Sequence, residues 1–225
     1  MVMKLTKRPA FWLGFSLALG MLLAASVVAL ATGGSPRTRV PTSSGPLKET
    51  LAAFSEEAGS DPLPAAIVAA AQALTESSAD VPDAARPGSL DLTKGRLLLD
   101  HLGSQGMSLY AVPTDKGEAC GFLTDYGTIG CAHAFTDQAP VAWNLADVDG
   151  FGSGSPPILA GLLPNDVTAV KVLVDGVEEA AVVGNNGFFY ELPRNDAWPK
   201  VLVVVHQAGG VDTVTLPSAP PLSGN

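Results

Sequence analysis

Cys120 and Cys131, the only two cysteines in the chain, bracket the stretch CGFLTDYGTIGC. Two thiols can form a disulfide, a redox pair or part of a metal site. The redox reading lacks the C-x-x-C spacing that thiol–disulfide chemistry uses. The metal reading can add His133, which shares strand parity with Cys131, but it lacks a fourth ligand and the tight knuckles of structural zinc. If the stretch is a hairpin turning at Asp125-Tyr126, Thr124 faces Gly127, Leu123 faces Thr128, Phe122 faces Ile129 and Cys120 faces Cys131. Opposed residues share a face, so both cysteines fall with Phe122 and Ile129 on the apolar side. At that separation a disulfide is within reach and adds about 2–3 kcal/mol. A structural Cys120–Cys131 disulfide is therefore expected, in an oxidising compartment.

The remaining candidates for chemistry are sparse. His101, His133 and His206 are far apart along the chain, and structural roles are expected for them. Asp147, Asp149 and Gly150 in ADVDGFGSGS echo part of a calcium loop. Leu145 and Pro156 occupy positions where an EF-hand needs acids, which leaves an Asp/Gly turn or a looser oxygen site. Ser153 and Ser155 do not fit a nucleophile elbow, and the P-loop, dinucleotide-binding and H-E-x-x-H patterns are absent. No catalytic residue, metal ligand set or cofactor is expected.

Three hairpins must carry much of whatever the chain presents. VTAVKVLVDGVEEAAVV turns at Asp175-Gly176, with Val170, Val172 and Val174 on one face and Lys171 on the other. AAVVGNNGFFYEL turns at Asn185-Asn186, so Val183 faces Phe188 and Val182 faces Phe189. Phe188 and Tyr190 are expected in the core. KVLVVVHQAGGVDTVTL turns at Ala208-Gly209-Gly210, and its run Val201 to Val205 suggests a strand buried on both faces. With 24 glycines and 18 prolines, the short β-branched runs from Leu90 onwards fit an antiparallel β-sandwich or barrel.

Two short helices are expected ahead of it. Leu47, Leu51, Phe54 and Ala58 recur at helical spacing up to Gly59. Asp61-Pro62 resembles an N-cap and first-turn proline for LPAAIVAAAQALTESSA, whose apolar residues favour packing on the β domain over a free stalk.

The N-terminus has a different texture. Lys4, Lys7 and Arg8 precede an uncharged run from Phe11 to Ala31, long enough for a membrane-crossing helix. Ala29-Leu30-Ala31 offers a cleavage site, so the run is either an anchor or a signal removed after Ala31. Residues 32–46 read as a flexible tether. The net charge is −9, and 10 bases face 22 acids after residue 31, which disfavours nucleic acid and charge-driven membrane binding.

The segments RLLLDHLGSQGMSLYAVPTDKGEACGFL, GCA, GLLPNDVTAVKVLVDG and VVGNNGFFYELP, in that order, resemble uncharacterised actinobacterial exported or membrane-anchored proteins. The most telling pieces are the G-L-x-P-x-x-V-x-x-V run from Gly161 to Val170 and the asparagine turn before the aromatic strand. The resemblance implies an extracytoplasmic β domain with a cysteine pair, and no activity.

The expected organisation is a basic end (1–10), a transmembrane or signal helix (11–31), a linker (32–46), a helical segment (47–79), a β-rich ectodomain (90–217) and a disordered tail (218–225). The expected role is that of a non-catalytic, membrane-tethered, extracytoplasmic domain for envelope interaction or sensing, with an envelope protein as partner. The alternatives are an exported hydrolase-like enzyme using Asp147 or Asp149 with a histidine, and a membrane regulator acting through its transmembrane helix.

Overall fold

In the computed structural model, the structure describes residues 46–47, 51–55, 61–78, 81–82, 86–146, 156–194 and 197–218. All of these belong to the compact unit Thr38–Asn225. The apolar run 11–31, the linker 32–45, the acids Asp147 and Asp149 and residues 219–225 lie outside the described residues. No helix among the described residues is long and apolar enough to cross a membrane.

The chain is mainly β, with twelve described strands in three antiparallel four-stranded sheets. The first is a meander of β1 (Arg96–Leu102), β2 (Met107–Pro113), β3 (Ala119–Leu123) and β4 (Gly127–Ala132). The second takes β5 (Ala142–Ala146), β6 (Ile158–Leu162), β9 (Val182–Gly184) and β10 (Gly187–Glu191) in the order β5-β6-β10-β9. The third joins β7 (Val167–Val174), β8 (Val177–Ala180), β11 (Pro199–His206) and β12 (Val211–Thr215) in the order β12-β11-β7-β8.

The hairpins form where local turn chemistry demands them. Asp175 and Gly176 have φ of 51° and 84°, and Asn185 and Asn186 have φ of 42° and 68°. These are the positive angles of the two-residue turns that match strand twist. Val183 pairs with Phe188 and Val182 with Phe189, while Val170, Val172 and Val174 are buried together. Between these hairpins only Ala181 separates β8 from β9, so the chain passes from the third sheet to the second almost without a loop.

Alternation makes the second sheet the middle layer. Phe189, Ile158, Ala160 and Leu162 face the first sheet, whose Leu98, Leu109 and Leu123 complete that core. Phe188, Tyr190 and Leu159 face the third sheet, against Val172, Leu202 and Val204. All three consecutive aromatics are thus buried, one more than strict alternation around a single core allows. In the third sheet the described layers cover one face: Leu202 and Val204 are buried, whereas Val201, Val203 and Val205 are half-buried. The expectation of a strand buried on both faces fails because no described layer covers that outer side.

A fourth layer covers the outside of the first sheet. The helix α1 (Ala65–Ser77) presents Ile67, Ala71 and Leu74 to Tyr110, Val112, Cys120 and Phe122. Its alanine-rich sequence favours helix, and the Arg86 guanidinium meets the carbonyls of Ser78 and Val81 beyond its C-terminus. Asp61 is not its N-cap. Pro64 holds that position, and Asp61 instead accepts the Leu97 amide at 2.9 Å, tying the incoming chain to β1. The first expected helix is also not continuous. Leu51 and Ser55 are extended (ψ 130° and 150°) around a single 3₁₀ turn, Ala52–Phe54. Leu47 and Leu51 are buried in the core between the first two sheets.

Gly161 in β6 is set where two strands and an aromatic converge. A Cβ there would fall on the Ala142 carbonyl oxygen and 2.5 Å from Phe188 Cε1. Gly210, by contrast, has ordinary contacts of 3.7 Å and no positive φ. Gly161→Ala is expected to lower stability by roughly 2–4 kcal/mol, as overpacking against backbone does, and Gly210→Ala by less than about 1 kcal/mol. Urea unfolding of the two variants compares them directly.

Candidate functional site

The cysteines are joined in a disulfide, and their Cα atoms lie 3.9 Å apart as the directly opposed pair of β3 and β4. The register that brings them together differs from the simple one. Leu123 pairs with Gly127 around a three-residue loop, Phe122 pairs with Thr128, and Ile129 bulges out of the ladder before Gly121 meets Gly130. The longer loop and the bulge displace the register in opposite senses, so Cys120 still meets Cys131. The bulge does change one face: Ile129 joins the inner core with Leu123 instead of lying beside the cysteines. Gly121 makes room for it, since a Cβ there would stand 2.5 Å from Ile129 Cγ1. The disulfide itself lies under α1, with Cys120 fully buried. With both sulfurs bonded to each other, no thiolate is available for a metal site with His133, whose side chain is exposed.

Polar groups with potential for chemistry meet at one end of the third sheet. His206 is the last residue of the central strand β11, which has β7 on one side and β12 on the other. Each neighbour brings an acid to that end. His206 Nδ1 lies 2.9 Å from Asp166 Oδ2, and Nε2 lies 2.9 Å from Asp212 Oδ2. The ring is 10% exposed, the two carboxylates 46% and 29%. The Gln207 amide donates to the Asp166 carbonyl, which holds the loop before β7 against this corner.

This arrangement limits what the imidazole can do. A general base needs one ring nitrogen free to take a proton, as when the other is held by an acid. Here both nitrogens face carboxylates, and both can donate only when the ring carries two N–H groups. The three groups also cannot converge on one cation, because the acids stand on opposite sides of the ring; no metal-ligating cluster is found among the described residues. These contacts fasten the β11–β12 hairpin to the β6–β7 loop.

The other histidines stand apart. His101 pairs with Asp100 at 2.9 Å in solvent, 88% exposed. The Ser108 hydroxyl, together with the amide and ring of His101, holds the Asp100 carboxyl below its ordinary range. His133 contributes its carbonyl to the Leu47 amide. Sequence reasoning identified none of the partners of His206. Asp212 follows it by six residues across the Gly209-Gly210 turn, which is a usable signal; Asp166 carries none.

The residues singled out by the G-L-x-P run and the asparagine turn do come together. Asn186 Nδ2 donates to Asn165 Oδ1 and to the Leu163 carbonyl. The Oδ1 atoms of Asn165 and Asn186 accept the amides of Ala52 and Ala53 at 2.8 and 3.0 Å. Two side chains thus cap the free amides of the 3₁₀ turn and fasten it to the β body.

Tyr190, buried in the outer core, donates to Glu179 Oε2 at 2.8 Å. Burial, reinforced by the Glu179 hydrogen bond and charge, raises its phenol far above the ordinary range. The chain matches no protein-family model, no curated protein and no solved structure.

Two expectations follow from these contacts. His206→Ala leaves two carboxylates facing each other without the ring, and should lower stability by about 1–3 kcal/mol, reduced by their partial exposure. Adding Asp212→Asn should recover part of that loss in a double-mutant cycle by urea unfolding. For Tyr190, the raised pKa means that the native phenol stays neutral while the unfolded one ionises. Its contribution is present in full below the ordinary phenol pKa and is lost as pH rises through the raised value. Absorbance and circular dichroism should show Tyr190 ionising together with alkaline unfolding, and Tyr190→Phe should remove that step.

Proposed function

We propose that the chain is a non-catalytic domain on the outer side of a membrane, tethered by residues 11–31 and acting by envelope interaction or sensing. The Cys120–Cys131 disulfide is the observation that carries this reading, because such a bond persists in oxidising compartments and is rare in the cytosol. The uncharged run from Phe11 to Ala31 supplies a route out of the cytoplasm, and the resemblance to exported actinobacterial proteins points the same way. The engagement of both His206 nitrogens by carboxylates favours a binding role over a hydrolytic one. A contact surface is available on the open side of the third sheet, where Val211 is 46% exposed beside half-buried Val201, Val203 and Val205.

The test is thiol labelling in intact, unreduced cells. Neither cysteine should react with maleimide until a reductant is added; free alkylation of both in the native protein sinks the compartment assignment. Replacing both by alanine should lower stability by about 2–3 kcal/mol. A hydrolytic activity that disappears in a folded His206→Gln variant would overturn the non-catalytic half of the reading.

A further inference from the structure

Arg96 is out of place in the inner core. It opens β1, where alternation puts it on the same face as Leu98, and only 8% of it is exposed. Its Nη1 donates to the carbonyl of Gly95 at 3.0 Å. Its Nε is sealed from solvent and has no acceptor. Among the described residues no carboxylate forms an ion pair with it. Shortage of acids is not the reason in a chain with 22 of them. Asp61 is adjacent, yet its Oδ2 accepts the Leu97 amide instead.

A buried ion without a counter-charge is strongly unfavourable, and a guanidinium cannot relieve this by losing its proton. The sealed, unpartnered Nε lies on the Nε–Nη2 edge, whose two parallel donors match the two oxygens of a carboxylate. Across the sheet at this level stand Ala111, Gly121 and Gly130, which carry no side chain larger than a methyl group, and the space over Gly121 is taken by Ile129.

We infer that Arg96 anchors a carboxylate-binding site, in which a small carboxylic acid or the C-terminal carboxylate of a peptide docks on the Nε–Nη2 edge and neutralises the buried cation. Because Nε is closed to solvent in the empty chain, entry of the ligand is coupled to a local opening at the start of β1. This site does not depend on the compartment assignment, since it rests on Arg96 and its described neighbours and not on residues 11–31.

Acetate titrated into the full-length chain at neutral pH and fixed ionic strength tests it. One arginine Nε–H resonance should shift saturably, and the melting temperature should rise with acetate. Both responses should vanish in Arg96→Met, whose empty form should melt no lower than the empty wild type. Arg96→Lys keeps the charge without the fork and should bind acetate about 10-fold or more weakly; it carries the comparison if the methionine variant does not fold. N-acetyl-dialanine with a free C-terminus, set against its amide, distinguishes a peptide terminus from a small acid. No saturable shift with either carboxylate, or an acetate response unchanged in both variants, overturns the inference.

Discussion

The packing of the second sheet on both of its faces is the constraint on which the rest of the structure depends. Its strands carry large apolar side chains in both parities: Phe188 and Tyr190 on one side, Phe189 on the other. Burying each such side chain contributes about 1.5–3 kcal/mol, so neither face can be left to water. One sheet must therefore cover each side, and the first and third sheets do so. The close approach at Gly161, where the Ala142 backbone and the Phe188 ring meet, is the local consequence of forcing that middle layer tight.

The outer layers are secured by contacts that are distant in sequence. Asp61 joins the segment before α1 to β1, and α1 then buries the disulfide that staples β3 to β4. At the opposite end of the chain order, Asn165 and Asn186 hold the 3₁₀ turn that follows Leu47 and Leu51 into the inner core. The two leucines close that core with residues that precede every strand. Leu47 and residues 51–55 are thereby part of the β body.

Among the described residues, Arg96 Nε stands apart from the other buried side-chain polar atoms in having no hydrogen-bond partner. His206 has an acid on each side because it ends a central strand, and each neighbouring strand begins or passes with an aspartate at that level. The result is a clamp that consumes both nitrogens. Arg96 has the opposite situation, a largely buried guanidinium that, among the described residues, donates to the carbonyl beside it and leaves Nε without an acceptor. Both residues are charged or chargeable and largely buried. Only the partners supplied by other strands separate a structural role from a binding one.

What the sequence by itself determined was local. Asp175-Gly176 and Asn185-Asn186 bring their positive-φ tolerance to the turn, so the two hairpins and their registers are legible without any tertiary context. The alanine-rich helix is legible for the same reason, since propensity and a short apolar stripe act within one turn of the chain. The disulfide pairing was also legible, although it survives through a bulge that the alternation rule did not foresee. Tertiary structure decided everything that needs a second segment: the side on which Ile129 falls, the burial of Phe189 as well as its neighbours, the incomplete burial of Val203, the role of Asp61, the partners of His206 and the burial of Arg96. The physical reason is the same throughout. A turn or a helix is set by torsion angles and neighbours a few residues away, whereas burial and charge pairing depend on which sheet arrives opposite, and no residue's own sequence context carries that.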